Sequence, residues 1–282
     1  MSALRFGALA AAVSLSFAAC TDPLPAPVER TFAYVVLPTQ LNSTGDAYVL
    51  RPSALFFRTS QLSLLESANA PDQCADRPYV PHSTAVKDTL PTVAYLNAGA
   101  ELTLGITGTS TAMPSHVDDF GKSYYGPTNN AAVPFTPGDV ATITVPGSSG
   151  TNPFPALSLS QTTVTPFTFD AVPATSNDVS GGLKLTWTPP PTAPTGVAPT
   201  GMLVSLRYAS AGTGTPDREI FCSLVDDGSF LIVKGDAAGW FTSQQITHAV
   251  SFTRWRGEVK QVGNVFTSVV SALSVPTAAA AP

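Results

Sequence analysis

Short runs in which apolar and polar side chains alternate, each closed by Gly, Pro or Asn, recur along most of this chain. That pattern limits the fold more than any other feature. Successive side chains of a strand point to opposite faces, so period two marks a sheet with one buried face. "ELTLGITG" sets Leu102, Leu104 and Ile106 against Thr103 and Thr107, and "DVATITVPG" sets Ala141, Ile143 and Val145 against Thr142 and Thr144. "GGLKLTWTPP", "GMLVSLRY", "ITHAVSFTRW" and "NVFTSVVSALSV" repeat the pattern, and "TFAYVVLPTQ" and "DAYVLRPSALFF" read as strands near the amino end. "EIFCSLVDDGSFLIV" reads as a hairpin about an Asp227-Gly228 turn. "LFFRTSQLSLLESANA" reads either as a strand and turn or as a short helix, the most helix-like stretch beyond the leader. Strand–helix alternation is absent, so the expected fold is all-β, an antiparallel β-sandwich.

Composition agrees. The 282 residues include 26 Pro and 21 Gly, which interrupt helices and mark turns. Only 12% are charged, but 44% are hydrophobic, enough for a packed core rather than disorder. Fourteen basic residues against nineteen acidic ones, with no cluster denser than "RWR" at Arg254–Arg256, argue against a nucleic-acid partner.

The first residues read as an export leader. "MSALR" is a short basic start, and "FGALAAAVSLSF" is an apolar run too short to span a bilayer but suited to a signal peptide. No second run of that kind follows, so no transmembrane helix is expected in the mature chain. Phe17-Ala18-Ala19-Cys20 resembles the bacterial lipobox, with Phe17 where an aliphatic residue is usual. This predicts residues 1–19 as signal peptide and a lipid on Cys20; the alternative is ordinary cleavage after Ala18 or Ala19 and a soluble exported protein. Thr21, rather than Asp, after the cysteine predicts sorting to the outer membrane. Residues 20–30, with prolines at 23, 25 and 27, read as an extended tether.

With Cys20 acylated, Cys74, in "NAPDQCADRP", which reads as a loop by composition, and Cys222 remain as an even pair, able to form a disulfide in an oxidising compartment. Against that, Cys222 alternates with Ile220 and Leu224 and would also serve as an inert buried thiol. Residues 31–171 read as an amino-terminal β-rich domain, 178–276 as a carboxy-terminal sandwich and 277–282 as a disordered tail; a Cys74–Cys222 bridge would cross that boundary and require tight packing or a single domain.

From about Ala98 to Pro276 the chain resembles a group of uncharacterised lipoproteins of predatory and soil, myxobacteria-like δ-proteobacteria. The matching pieces are "NAGAELTLGITG", the Tyr125 region, "FTPGDVATITVPG", "FPALSLSQTTVTP", "LKLTWTP" and "IFCSLVDDGSFLI". The resemblance implies a secreted lipoprotein of β-sandwich build with no assigned activity. Leu231-Ile232-Val233 stands where the group often has Ile-Pro, which implies a strand that continues.

Residues that could carry chemistry are sparse. His82, His116 and His248 lack partners at metal-ligand spacing, and His248 reads as a packing residue. "GTSTA" around Ser110 misses the nucleophile-elbow pattern and no helix follows it; "GKS" at 121–123 lacks a glycine-rich loop. No cofactor and no catalytic residue is assigned. Asp226 and Asp227 are weak calcium candidates, with a plain turn as the stronger reading. Trp187 reads as core, whereas Trp240, in "DAAGWFTSQ", and Trp255, between Arg254 and Arg256, are candidates for stacking on a ligand. The expected role is a non-enzymatic, lipid-anchored envelope protein with a structural or adhesive part, binding a glycan or another envelope protein. A carbohydrate-binding module is the alternative, and a surface hydrolase comes third.

Overall fold

A computed structural model of the chain describes residues 29–42, 44–45, 47–59, 72–79, 93–118, 122–150, 153–191, 200–210, 214–243 and 248–278. Cys20, the leader and most of the tether lie outside these residues. The fold is all-β and sandwich-like. Its strands are β1 (Arg30–Leu41), β2 (Tyr48–Leu50), β3 (Ser53–Thr59), β4 (Gln73–Pro78), β5 (Ala94–Tyr95), β6 (Glu101–Ile106), β7 (Thr109–Val117), β8 (Ser123–Tyr125) and β9 (Val133–Pro134). They continue with β10 (Val140–Val145), β11 (Leu157–Thr162), β12 (Leu183–Thr186), β13 (Thr200–Tyr208), β14 (Arg218–Val225) and β15 (Ser229–Ile232). A five-residue helix, α1 (Ala238–Thr242), precedes β16 (Ala249–Val262) and β17 (Val265–Ala278). β17 thus runs two residues into the expected 277–282 tail.

One sheet carries most of these strands in the order β11-β10-β6-β7-β8-β3-β1-β17-β16-β13-β14-β4, and β12 pairs with β15 in a second, two-stranded sheet. The pairing departs from an antiparallel sandwich at its centre, where β1 lies parallel to β17 with Val35 opposite Val269. β16 and β17 form a hairpin of fourteen residue pairs, closed by Gly263 at φ +59 in the glycine-first geometry of a two-residue turn. The β6–β7 turn has Thr107 at φ +50 and Gly108 at φ +74, and the Thr107 hydroxyl is held by the Asp139 carboxylate.

Two cores lie on the same face of the long sheet. The first, built on Val35, Leu37, Phe56, Leu102, Leu104, Ile143 and Phe154, fills the space where β11-β10-β6-β7 folds back over β3-β1-β17. The second, built on Met202, Val204, Leu206, Ile220, Cys222 and Phe252, is covered by β12–β15, α1 and the segment from Val164 to Val172. β17 serves both, with Val265 and Val269 in the first core and Leu273 in the second. Where the cores meet, the Val164 backbone N–H donates to the wholly buried Ser271 hydroxyl at 3.0 Å. Val172 and Ala174 are buried, so the chain has already entered the second core before residue 178.

Two local expectations change. "EIFCSLVDDGSFLIV" supplies two strands, but they do not pair with each other: β14 pairs with β13 and β4, and β15 pairs with β12. The Asp226–Gly228 turn is a corner between sheets, set by the burial of Asp226. "QCADRP", loop-like in composition, is β4, the edge strand beside β14, with Cys74 directly opposite Cys222 and bonded to it. An edge strand exposed along most of its length tolerates polar residues and Pro, which is why its sequence carries no alternation.

Candidate functional site

Among the described residues Asp226 and Arg254 form the most deeply buried ion pair. Arg254 Nε lies 2.7 Å from Asp226 Oδ2 with side-chain exposures of 3% and 1%, and Nη2 donates to Oδ1 at 3.1 Å. Asp226 Oδ1 also accepts from Trp187 Nε1 at 2.9 Å. Arg254 further donates to the carbonyls of Pro166 (3.1 Å), Thr165 (3.3 Å) and Thr188, and its guanidinium lies over the Phe167 ring. This cluster locks the cover of the second core onto the sheet. The weak calcium reading of Asp226 is corrected accordingly: its carboxylate is committed to a guanidinium and an indole and faces no solvent. Asp227 keeps its turn role, with Oδ1 accepting from the Ser229 N–H at 3.4 Å. Among the described residues no group of three or more His, Cys, Asp or Glu could hold a metal.

Trp240 is not an exposed platform. It is wholly buried, donates from Nε1 to the Pro173 carbonyl at 2.8 Å, meets Tyr208 edge-on and stacks on His248 at 3.8 Å between ring centroids. Trp240 sits in α1, a single helical turn whose one buried residue it is. His248 is the packing residue expected. Burial pushes its imidazole below the ordinary value, a backbone hydrogen bond to Trp240 opposing that, and Nε2 meets the Ser243 hydroxyl. His248 Nδ1 is buried and meets no hydrogen-bond partner among the described residues. Trp255 points to the opposite, outward face, half-buried, with its ring over Gly201, where an added Cβ would stand 2.6 Å from Nε1. The two tryptophans therefore share no surface. Ser110 lies within the β6–β7 hairpin rather than at an elbow.

The outward face of β4, β14, β13, β16 and β17 holds a groove that sequence reading did not locate. Its volume is about 490 Å³, and its lining includes Arg77, Tyr79, Ser205, Arg207, Glu219 and Phe221. Strand register creates it. Arg77, Glu219 and Arg207 stand in one row across β4, β14 and β13, so one carboxylate lies between two guanidinium groups. Arg77 donates to Glu219 Oε2 from Nε at 2.9 Å, with Nη2 at 2.8 Å, while Oε1 accepts from the Ser205 hydroxyl and lies 3.6 Å from Arg207 Nε. Arg207 Nε also donates to Ser205 Oγ at 3.2 Å. Each guanidinium is backed by a ring, Arg77 over Phe221 at 4.0 Å and Arg207 over Tyr79 at 4.5 Å. Burial alone would raise the Glu219 carboxyl. Hydrogen bonds from Ser205 and Arg77 and the charges of Arg77 and Arg207 outweigh it and hold the group below its ordinary value.

The groove floor continues through Leu203, Ser251, Thr253 and Ser274, with Thr253 Oγ1 donating to Ser274 Oγ at 3.1 Å. The guanidinium ends remain in water, at 48% exposure for the Arg77 side chain and 34% for Arg207, whereas Glu219 is enclosed at 8%. Arg207 Nη1 and Nη2 meet no acceptor among the described residues. Two cations around one saturated carboxylate leave a net positive site on a chain whose formal charge is −5. A second cavity, of about 530 Å³, lies beside His116 and Tyr124, with no Asp, Glu, Lys or Arg among its described lining residues.

Among the described residues no helix is long and apolar enough to cross a membrane. No protein-family model matches the chain, and no curated protein matches it.

Proposed function

We propose that this chain is a lipid-anchored bacterial envelope protein with a non-catalytic binding role, held at the outer membrane through Cys20 and presenting the outward groove of β4, β14 and β13 to a ligand. The groove carries the reading. Its carboxylate is already saturated by two arginines and a serine, so it is no free base, while its guanidinium ends point to solvent as binding groups. The anchoring half rests on the leader and on Phe17-Ala18-Ala19-Cys20, in keeping with the resemblance to δ-proteobacterial lipoproteins. The Cys74–Cys222 bond suits an oxidising compartment outside the cytoplasm. Metabolic labelling with palmitate in cells expressing wild type or Cys20→Ala tests this: label and membrane association in the wild type only are expected, and equal incorporation would remove the anchor. A carbohydrate-binding role, first sought at Trp240 and Trp255, moves to the groove.

A further inference from the structure

We infer that the groove recognises an acidic polysaccharide, a sugar chain bearing carboxylates of the uronic-acid kind; this deepens the binding reading above and rests on it. Three features of the outward face lead there. The first is charge. Arg77 and Arg207 bracket Glu219, and among the described residues the ends of Arg207 meet no acceptor, on a chain of net charge −5. A guanidinium fork matches a planar carboxylate in bidentate fashion, and here each fork is held flat by an aromatic ring beneath it. Pre-positioning lowers the entropy lost when the ligand's carboxylate docks.

The second is the floor. Beyond the arginines, Ser251, Thr253 and Ser274 line the surface across β16 and β17 with hydroxyls. Hydroxyls both donate and accept, which suits a ligand made of hydroxyls. Among the described lining residues Leu203 and Pro78 are the only aliphatic ones, too few to form the apolar anchoring pockets that seat peptide side chains.

The third is shape and position. The groove crosses five adjacent strands, β4, β14, β13, β16 and β17, a span of about 19 Å at the usual ~4.8 Å between neighbours, which fits several sugar units in a row. It lies on a sheet face, where the backbone groups of β14, β13, β16 and β17 are paired with strands on both sides, and among the described residues only the outer edge of β4 lacks a neighbouring strand there. An extended peptide adding a strand needs an edge.

The test uses the full-length chain in detergent and fluorescent oligogalacturonate, with dextran as the neutral sugar, poly-glutamate as the acidic peptide and acetate as the small anion. Oligogalacturonate is expected to bind, dextran and poly-glutamate to bind at least tenfold more weakly, and added salt to weaken the complex. Arg207→Gln should cost tenfold or more in affinity. Glu219→Gln should tighten binding several-fold, because it removes the competing carboxylate and frees both guanidinium groups; a purely structural cluster would not respond with that sign. Should Arg207→Gln fail to fold, the opposite-sign variant still decides. Poly-glutamate binding as tightly as the sugar acid, acetate alone displacing the oligomer at millimolar concentration, or affinity unchanged in both variants would overturn the inference. These outcomes are independent of palmitate labelling, so loss of the anchor and loss of the ligand class are separately visible.

Discussion

At the scale of single residues the second core depends on Arg254. Its neighbours on β16, Phe252 and Val250, are ordinary core hydrophobes, so the charge stands where apolar packing would be expected. Arg254 both neutralises Asp226 and caps three carbonyls of the covering segments, at Thr165, Pro166 and Thr188. Removing either partner of a buried pair strands the other charge, at a cost of about 3–5 kcal/mol. Asp226→Asn and Arg254→Met should each therefore lower unfolding free energy by that amount in guanidinium titrations. The double variant Asp226→Leu/Arg254→Met separates two views of the pair. A bare ion pair replaced by apolar groups often regains everything. Here it would leave three carbonyls without their donor, at about 1–3 kcal/mol for each one that stays buried and unpaired. The double variant is expected to stay at least ~2 kcal/mol below wild type; full recovery would show that the carbonyl contacts contribute nothing.

At the scale of elements the disulfide decides how firmly β4 is held. Cys74 and Cys222 are 148 residues apart, and closing so long a loop in the unfolded chain corresponds to about 5 kcal/mol in the chain-entropy account. β4 itself contributes little core, since Cys74 is the only one of its residues packed against the second cluster. Its other ties are the Arg77–Glu219 and Arg218–Asp76 pairs and the 2.8 Å bond from the Tyr208 hydroxyl to Asp76. In both pairs the guanidinium is about a third or more exposed, and pairs open to solvent contribute about 0–1 kcal/mol each, so they do not substitute for the bridge. In Cys74→Ala/Cys222→Ala the β4 amides should exchange with deuterium well before those of β13, while the rest of the sheet keeps its protection; equal protection in β4 and β13 would show the bridge to be dispensable. Legibility in the sequence follows the same division. β6, β10, β12, β13 and β16 bury one face and were readable from alternation alone. β4 and β7 were not, because β4 is mostly exposed and in β7 only Met113 is buried, with Pro114 breaking the pattern. The β14–β15 turn was visible, but its partners were not, since Asp227-Gly228 specifies a reversal and says nothing about which sheet the next strand joins. The groove arises from register across strands distant in sequence, with Arg77 beside Glu219 and Arg207, and no local pattern encodes that.

For the whole molecule the question is whether two cores make two domains. Residues 31–171 and 178–276 read as separate bodies, yet three features bind them. β1, from the first part, pairs along nine residues with β17 of the second; β4, also from the first part, is bonded to β14; and the inner face of β17 supplies both cores. A strand whose side chains fill both cores cannot leave one without disturbing the other. Calorimetry should therefore give one transition, with van't Hoff and calorimetric enthalpies equal. Two substitutions on that strand probe the coupling directly. Val269→Ala opens space in the first core and Leu273→Ala in the second, the latter at about 2–5 kcal/mol. Each should move the single transition down as a unit. If the profile instead resolves two peaks, with Val269→Ala shifting one and Leu273→Ala the other, the cores are independent domains and the β1–β17 pairing is only a docking contact. The distinction bears on how an anchored protein would carry load. If Cys20 carries a lipid as proposed, the ten peptide steps from it to Arg30 reach at most about 35 Å, and a pull from the membrane would enter at β1. In a single cooperative body that pull is distributed through β17 to the sheet that bears the groove. In two bodies it would act on the junction between them and leave the groove's geometry unconstrained.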